Sequence, residues 1–295
     1  MVTDNKKYNR MLAALTIAIS FLFAACSKET QPVLPENTPD VAFNYFLASE
    51  AMIQAYGPTR GRIYIHVDNY VDYQKILSGT AASPPTLSIG YNNTSMEYPW
   101  RRGTEVINYE RYRAGDHRFF LTDVFNNVVL DTIISSTPAS FNCLYLADGI
   151  AINGAEAQYK IVLLPEERSA VEGKTQVRFV HLSPDAGKIS CKLKRSDGST
   201  TDVTTLGFGE ASSYVAFDST QTTEGLFRFV LNTTDGYEIA TGAPNSAGHN
   251  YVVMITGFRN TQQRQVATDK SADGALIYKT ITINPGLKTE LRSTY

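Results

Sequence analysis

The chain has 295 residues, with 27 basic and 29 acidic side chains and a formal net charge of −2. Its pI is about 6.1, and no run of Lys or Arg supplies the positive patch that nucleic-acid binding requires. We therefore expect no nucleic-acid partner. The length suits one large domain or two ordinary ones.

The chain opens with a predicted signal peptide, residues 1–25. Three basic residues, Lys6, Lys7 and Arg10, precede an uncharged run from residue 11 to residue 25. A positive start followed by an apolar run and small residues is typical of a secretory signal. The run is shorter than the roughly 20 residues that a membrane-spanning helix needs, so we expect cleavage rather than a permanent span.

Cys26 follows the apolar run directly, in the order Phe23-Ala24-Ala25-Cys26. This junction resembles the lipobox of bacterial lipoproteins, in which the cysteine takes a lipid and becomes the new N-terminus, although Phe23 replaces the usual leucine. The resemblance implies that Cys26 is lipidated and anchors the chain in the cell envelope. The residue after the cysteine is Ser27 and not the aspartate associated with inner-membrane retention, which favours the outer membrane. Secretion with an unmodified cysteine is the alternative.

Residues 26–40 are predicted to form a linker after the lipidated cysteine. Pro32, Pro35 and Pro39 stand among polar neighbours, a composition that favours extended chain over a packed element. We expect this segment to hold the folded part of the protein away from the lipid surface.

Two similar halves follow, predicted at residues 41–168 and 175–295. A β-rich run that closes on proline occurs late in each half, at residues 159–165 and 278–285, and an earlier matching pair occurs at residues 87–90 and 206–209. In both pairs, the segment of the second half follows its match in the first half after nearly the same number of residues. Self-similarity over the length of a whole domain indicates duplication.

The apolar runs have the character of strands. They are short, rich in Val, Ile, Thr, Tyr and Phe, and separated by turn sequences. Residues 62–67 alternate aliphatic and polar-tipped side chains, which predicts a strand with one buried face. The fold expected is all-β, with two tandem immunoglobulin-like antiparallel β-sandwiches after the signal peptide and linker. Cys143 and Cys191 fall in strand-like runs of different halves, which favours two separate thiols over a disulfide.

The second half carries a recognisable succession of motifs. Residues 177–186 read Val-Arg-Phe-Val-His-Leu-Ser-Pro-Asp-Ala, and Leu-Gly-Phe-Gly follows at 206–209. Residues 177–285 thereby resemble a family of secreted bacterial domains of unknown function, catalogued as DUF 4397. The first half has residues 41–50 where the motif should be, without its His, Pro or Asp. The resemblance implies tandem sandwiches on exported, lipid-anchored proteins, and it implies no reaction.

The sequence offers little support for catalysis or metal binding. His181, Ser183 and Asp185 stand at alternate positions, but such residues on one strand point the same way, whereas a triad needs a base bonded to both partners. We interpret them as a strand end followed by a turn. The four histidines lack the spacing of a zinc site, so we expect no metal and no cofactor.

One loop of the first half is a candidate contact site. Between Gly90 and Tyr109 the first half carries an insertion relative to the second, and the only tryptophan of the chain lies there. Exposed aromatic rings beside guanidinium groups are typical of sugar stacking and of protein hot spots. The alternative is that the tryptophan folds back onto the sandwich edge. The candidate ligand-contact residues are Tyr98, Trp100, Arg101 and Arg102.

These patterns predict a non-enzymatic envelope lipoprotein that acts as an interaction, adhesion or scaffold module. Its expected contacts are a membrane, through the N-terminal lipid, and a protein or a glycan. The alternative is a carbohydrate-binding accessory lipoprotein of a nutrient-uptake system, motivated by the Trp100 loop and by the many tyrosines of the first half. A hydrolase would depend on His181 and Asp185 alone.

Overall fold

The described part of the chain is built almost entirely from β-strands. The computed structural model describes residues 39–60, 64–69, 109–122, 127–169, 171–222 and 225–294. Helix α1 (Glu50–Arg60) interrupts the strands, and none of the helices in these ranges is long and apolar enough to span a membrane. The predicted all-β class, with sandwiches built from several antiparallel sheets, is confirmed.

The first half contributes two sheets. Its strands are β1 (Asp40–Leu47), β2 (Tyr64–Val67), β3 (Glu110–Arg113), β4 (Gly115–Thr122), β5 (Val128–Ser136), β6 (Phe141–Asp148) and β7 (Tyr159–Pro165). One sheet has the order β3-β1-β6-β7 and the other the order β2-β4-β5.

The second half contributes two further sheets and a hairpin. Its strands are β8 (Lys174–His181), β9 (Ile189–Lys194), β10 (Thr200–Leu206), β11 (Val215–Asp218), β12 (Leu226–Thr233), β13 (Glu238–Pro244), β14 (Asn250–Thr256), β15 (Gln262–Lys270), β16 (Leu276–Ile283) and β17 (Lys288–Ser293). The sheet orders are β11-β8-β14-β17 and β10-β9-β12-β13, and β15 pairs with β16.

Both halves share one sheet topology, as expected from duplication. The order β3-β1-β6-β7 corresponds to β11-β8-β14-β17. In each half the first strand runs parallel to its long neighbour, β1 to β6 and β8 to β14, whereas the other described strand pairings are antiparallel. The antiparallel prediction therefore holds except at this one pairing in each half.

The match between residues 159–165 and 278–285 is wrong. Strand β7 pairs with β6 in the way that β17 pairs with β14, whereas β16 forms a hairpin with β15. The counterpart of β7 is therefore β17. Alternation and a terminal proline identify a strand, but they do not identify its neighbour, because edge strands and hairpin strands carry the same pattern.

Each half has its own core between its two sheets. In the first half, Phe43 of β1 meets Phe119 of β4 edge to face, with ring centroids 5.4 Å apart. In the second half, Phe179 of β8 meets Phe229 of β12 in the same manner at 5.0 Å. Such aromatic pairs add about 0.5–1.5 kcal/mol to the stabilisation from burial alone.

A third core joins the two halves. The opposite faces of β1 and β6 contribute Phe46 and Tyr145, and the opposite faces of β8 and β14 contribute Val180 and Met254. The two central sheets therefore pack on each other, giving four layers. This explains why β6 and β14 are buried along almost their whole length, since strands covered on both faces read as continuous apolar runs. Residues 36–295 form one compact unit.

The hairpin β15–β16 packs across both halves, and we name it the clasp. Ala51 of helix α1 packs with Phe258 and Ile283, and Gln54 Nε2 donates a hydrogen bond to the Thr282 carbonyl (2.5 Å). Backbone bonds also connect β15 with the loop at residues 155–157 of the first half. The clasp thus contacts helix α1 through packed side chains, and it contacts the loop at residues 155–157 through backbone hydrogen bonds.

Strand β2 is buried on both faces, whereas the alternation of residues 62–67 predicts one buried face. Ile65 and Val67 do pack on the first-half core, as expected. Tyr64 and His66, which the pattern places on a solvent face, are 3% and 1% exposed. Both faces of this strand are therefore covered, because alternation reports the polarity of side chains and not the number of layers stacked around a strand.

Candidate functional site

The predicted contact residues lie outside the part of the chain that the structure describes. This applies to Cys26, and to Tyr98, Trp100, Arg101 and Arg102 in the inserted loop. The signal peptide and most of the linker also fall outside the described ranges. Lipidation of Cys26 and ligand contact by the loop stay predictions, and so does the carbohydrate-binding alternative that depends on the loop.

His181, Ser183 and Asp185 form a turn at the end of β8. The His181 Nε2 donates to the carbonyl of Gly187 (2.8 Å), and its Nδ1 accepts from the backbone N–H of Ser183 (3.3 Å). The Ser183 hydroxyl faces Asp185 at 3.5 Å. Both imidazole nitrogens are therefore occupied by backbone groups, and burial lowers the pKa of His181. A base that does not touch the hydroxyl cannot activate it.

Asp185 connects two loops at this end of the second half. Its carboxylate accepts hydrogen bonds from the backbone N–H groups of Arg259 (2.7 Å) and Asn260 (2.9 Å), and from the Gln262 side chain (3.2 Å). Arg259 and Asn260 follow β14, so the carboxylate fixes their loop against the turn after β8. Its role is structural.

Asp148 has a similar structural role in the first half. It ends β6 and accepts hydrogen bonds from the Ser49 hydroxyl (2.5 Å) and from the backbone N–H groups of Glu50 (2.7 Å) and Ala51 (3.3 Å). The two backbone N–H groups are free donors at the start of α1, so the carboxylate caps the helix. Burial raises the pKa of Asp148 to about 6, against the effect of these hydrogen bonds.

A buried polar cluster lies between the two central sheets. Arg292 of β17 is 5% exposed; its Nη1 donates to the Cys143 sulfur (3.0 Å), and its Nη2 donates to the Asn44 side chain. Glu166 lies 3.7 Å from Arg292 and accepts a hydrogen bond from the Tyr109 hydroxyl. The cluster therefore joins the last strand of the second half to β1 and β6 and to the residues that precede β3 and follow β7.

The two described cysteines serve packing. Both thiols are free and fully buried, Cys143 in the shared core and Cys191 in the core of the second half. Burial raises the pKa of each thiol to about 12, although Arg292 works against this shift at Cys143. A thiol that stays protonated is a poor nucleophile and a poor metal ligand.

The described histidines also have structural partners. His66 stacks on Phe120, with centroids 4.6 Å apart, and its Nε2 contacts the Thr122 hydroxyl at 2.8 Å. His117 pairs with Asp68 at 2.8 Å. Within the described ranges, no group of three or more His, Cys, Asp or Glu side chains is arranged to hold a metal ion.

A shallow depression of about 530 Å³, which we name the β13 basin, lies along β9, β12 and β13 and reaches Leu291 of β17. This volume lies within the range typical of ligand sites, roughly 300–1,000 Å³. Its floor is aliphatic or small and its rim is charged. The lining residues are Lys194, Leu226, Arg228, Phe229, Val230, Glu238, Ala240, Thr241, Gly242, Pro244 and Leu291.

The strand register places two cations side by side at the rim. Arg228 of β12 stands directly opposite Lys194 of β9 and, on its other side, opposite Gly242 of β13. The neighbouring Lys192 has an acidic partner, Asp202, at 3.4 Å, whereas no carboxylate of the described residues lies within ion-pair distance of Lys194.

Strand β13 is the free edge of this sheet. Asn245 N donates to the Gly225 carbonyl (2.9 Å), and Thr233 N donates to the Tyr237 carbonyl (3.0 Å). Both bonds join residues that stand directly opposite each other, so these are hydrogen-bonded pairs of the ladder. Hydrogen-bonded and non-bonded pairs alternate along an antiparallel ladder, and counting along the register from either pair puts Ala240 at a non-bonded position. Gly242, two residues later, has the same orientation. The N–H and C=O groups of both residues therefore point away from β12, into the margin of the basin.

Comparison with known proteins gives no family. A scan of the chain against models of protein families found no match, and a search of curated proteins found no relative. The resemblance of residues 177–285 to DUF 4397 stays a prediction that these comparisons leave untested.

Sequence reasoning missed the β13 basin. Its residues come from the four strands β9, β12, β13 and β17 and contain no motif, and they meet only through strand order and register. One signal was present: residues 238–244 read Glu-Ile-Ala-Thr-Gly-Ala-Pro, a strand with small side chains on one face and a proline at its end. Such a strand is typical of a sheet edge.

Proposed function

We propose that the chain is a non-enzymatic lipoprotein of the bacterial envelope, anchored through Cys26 in the outer membrane, which acts as an interaction and scaffold module. The observation that carries this proposal is the shared core between the two central sheets. This shared core joins the two sandwiches into one body, so their outer faces keep a fixed distance and orientation. A fixed relation between surfaces is what a scaffold requires.

The chemistry of the described polar groups supports the same function. His181, Asp185 and Asp148 hold loops and a helix end, and Arg292 joins the halves. Each of these potential reactive groups is engaged in a structural contact. The surface, in contrast, offers the β13 basin and an unpaired strand edge, which are suited to contact rather than to reaction.

The anchor is tested by mass spectrometry of the mature protein purified from membranes. The expected N-terminal residue is Cys26 carrying acyl chains, and Cys26→Ser should leave the precursor unprocessed or release the chain from the membrane fraction. A bare Cys26 thiol in the mature protein would contradict the anchor.

The interaction role is tested by cross-linking in intact cells that express the full chain. Lysine-reactive reagents should connect surface lysines of the folded part to an envelope component, and these cross-links should decrease for Cys26→Ser, which removes the chain from its membrane. An esterase or glycosidase activity of the purified protein that His181→Ala abolishes would contradict the proposal.

A further inference from the structure

Asp68 forms an unusual turn at the end of β2. Its φ angle is 62°, and the N–H of Asn69 donates to the carbonyl of Val67 (2.7 Å), so the chain turns sharply within three residues. Positive φ is uncommon for a residue with a side chain, because Cβ crowds the backbone there. Among the described residues only Asp68 and Ala139 combine a side chain with a positive φ. Such a conformation persists only where the surrounding contacts hold it.

Contacts with β4 hold this turn. The Asp68 N–H donates to the Arg118 carbonyl (2.8 Å), and Asp68 Oδ1 accepts from the Arg118 N–H (3.0 Å). The carboxylate thus takes the place of a backbone carbonyl and extends the pairing of β2 with β4 by one residue. Its other oxygen, Oδ2, lies 2.8 Å from Nδ1 of His117.

His117 lies between two hydrogen-bond acceptors. Its Nδ1 faces the Asp68 carboxylate, and its Nε2 lies 2.5 Å from the carbonyl oxygen of Arg113. Neither a carbonyl nor an ionised carboxylate can donate. A neutral imidazole has a single N–H, so it satisfies one of these oxygens and turns a lone pair toward the other. Only the imidazolium, with two N–H groups, fits both contacts.

The surroundings of the ring also favour the imidazolium. The His117 side chain is 12% exposed, and the anions that act on it are Asp68 and Asp116, which precedes it on β4. Burial lowers the pKa of His117, but the hydrogen bonds to Arg113 and Asp68 outweigh burial and raise it. Arg113 contributes its carbonyl, and its own side chain is exposed to solvent.

The other ionisable groups on the neighbouring strands have partners of their own. On β3, the ring of Tyr112 lies 5.6 Å from the imidazole, and its hydroxyl donates to Glu110 (2.8 Å). The Arg118 guanidinium donates two hydrogen bonds to Asp131 of β5 (2.9 and 2.5 Å). The two aspartates beside the imidazole therefore determine which of its forms is favoured.

We propose that His117 and Asp68 form a pH-sensitive latch on the end of β2, closed while both ring nitrogens carry a proton and released when one proton leaves to water. The neutral ring then keeps one of its two contacts. Strand β3 belongs to one sheet of the first half, and β2 and β4 belong to the other. The closed latch therefore joins the two sheets at this end. The device goes beyond the proposed function and does not depend on it.

The latch controls how firmly β2 docks. This strand has only four residues, and its Val67 packs on the first-half core. When the latch opens, the turn at Asp68 can relax, and the end of β2 separates more often from β4. Folding raises the pKa of His117 above its ordinary value of 6.5. The latch is therefore fully closed below pH 6.5 and opens as the pH rises through the raised pKa.

The test is an NMR titration of the full mature chain from about pH 5 to about pH 9. The nitrogen shifts should show both ring nitrogens of His117 protonated at pH 6.5, where a free imidazole is half-protonated. The amides of Asp68 and Arg118 should lose protection against hydrogen exchange, by roughly two- to fivefold, as the ring titrates. A change of this size is expected for a partly exposed charged pair.

Two variants separate the charge from the turn. Asp68→Asn tolerates positive φ and can still accept from the Arg118 N–H, but it lacks the negative charge, so the pKa of His117 should fall below that of the parent chain. His117→Gln should remove the pH dependence of both amides. The matched control is His249→Gln, which replaces an exposed ring whose Nδ1 lies 3.2 Å from the Ala247 carbonyl. It should leave the titration at β2 unchanged.

Several results would overturn the latch. A His117 pKa at or below 6.5 would show that the two acceptors do not hold the imidazolium. Amides of Asp68 and Arg118 that keep the same protection throughout the titration would show that the proton does not control β2. If His117→Gln fails to fold, Asp68→Asn decides, because an unchanged pKa in that variant would remove the charge argument. The lipid anchor and the interaction role have tests of their own and would stand.

Discussion

Arg292 shows how a single residue can join two halves that share a sheet topology. The register pairs Cys143 with Leu164 in the first half and Val252 with Arg292 in the second, so Leu164 and Arg292 occupy equivalent places. The first half satisfies this position with an aliphatic side chain. In the second half a guanidinium crosses the shared core and meets Glu166. Burial lowers the pKa of Arg292, but electrostatic interaction with Cys143 and Glu166 outweighs that effect and raises it.

Replacing Arg292 with leucine should destabilise the protein by about 3–5 kcal/mol, because Glu166 would keep a buried charge without its cation. Urea unfolding measures the change. The exposed Arg195→Leu is the matched control, expected within about 0.5 kcal/mol of the parent chain. Adding Glu166→Gln to Arg292→Leu should recover part of the loss. Equal stabilities for the single and double variants would contradict the charge argument.

Asp148 should make the stability pH-dependent. Its pKa rises from 3.8 to about 6 on folding, so the native state binds a proton at a pH where the unfolded chain has released it. The stabilisation from that proton is complete below pH 3.8 and is lost as the pH rises through 6, a change on the order of 3 kcal/mol.

Urea unfolding of the parent chain and Asp148→Asn between pH 4 and pH 7 isolates this contribution. The difference in unfolding free energy between the two proteins should change with pH in the stated direction. A difference that stays constant over this range would show that Asp148 titrates normally.

At the scale of elements, the sequence predicts the strands better than it predicts their partners. Apolar runs and turn residues correctly indicate the strands β8 and β14, because period and composition are local properties. The correspondence of β7 to β17 rather than to β16 could not be predicted, since strand order depends on contacts between distant residues. For the same reason, the β13 basin escapes prediction although Lys194 and Arg228 are plainly visible in the sequence.

The clasp is an element whose contribution can be measured. Phe258→Ala should cost about 3–5 kcal/mol, because the ring is fully buried against Ala51 and Ile283 and its removal leaves a cavity. Phe258 lies in the loop between β14 and β15 and packs against the clasp, whereas Ile277 lies on the clasp itself with 46% of its surface exposed. Ile277→Ala should therefore change stability by no more than about 0.5 kcal/mol. Similar losses for both variants in thermal unfolding would show that the clasp is not packed as described.

At the scale of the whole molecule, the shared core makes the two halves dependent on each other. Phe46, Tyr145, Val180 and Met254 are buried only because the central sheets cover one another. Separation of the halves would expose these apolar faces to water at a cost of roughly 25 cal/mol for each Å². The two halves therefore form a single unit in folding terms, even though each half has a core of its own.

The whole described unit should unfold in a single transition. Urea curves followed by far-UV circular dichroism and by tyrosine fluorescence should coincide, since neither half keeps its covered face when the other unfolds. Residues 171–295 expressed alone should be less stable than in the full chain and should bind a hydrophobic dye. Two separated transitions in the full chain would show that the halves fold independently.

The parallel pairing of β1 with β6 also bears on mechanical force. Strand β1 begins at Asp40, directly after the predicted tether, and it lies between β3 and β6 inside a central sheet. Tension between a membrane at Cys26 and a partner on the second half would pull along the axis of β1. The ladders on both sides of the strand would then be sheared and would have to break together rather than one bond at a time, so a chain anchored at Cys26 would resist extraction of β1 under load.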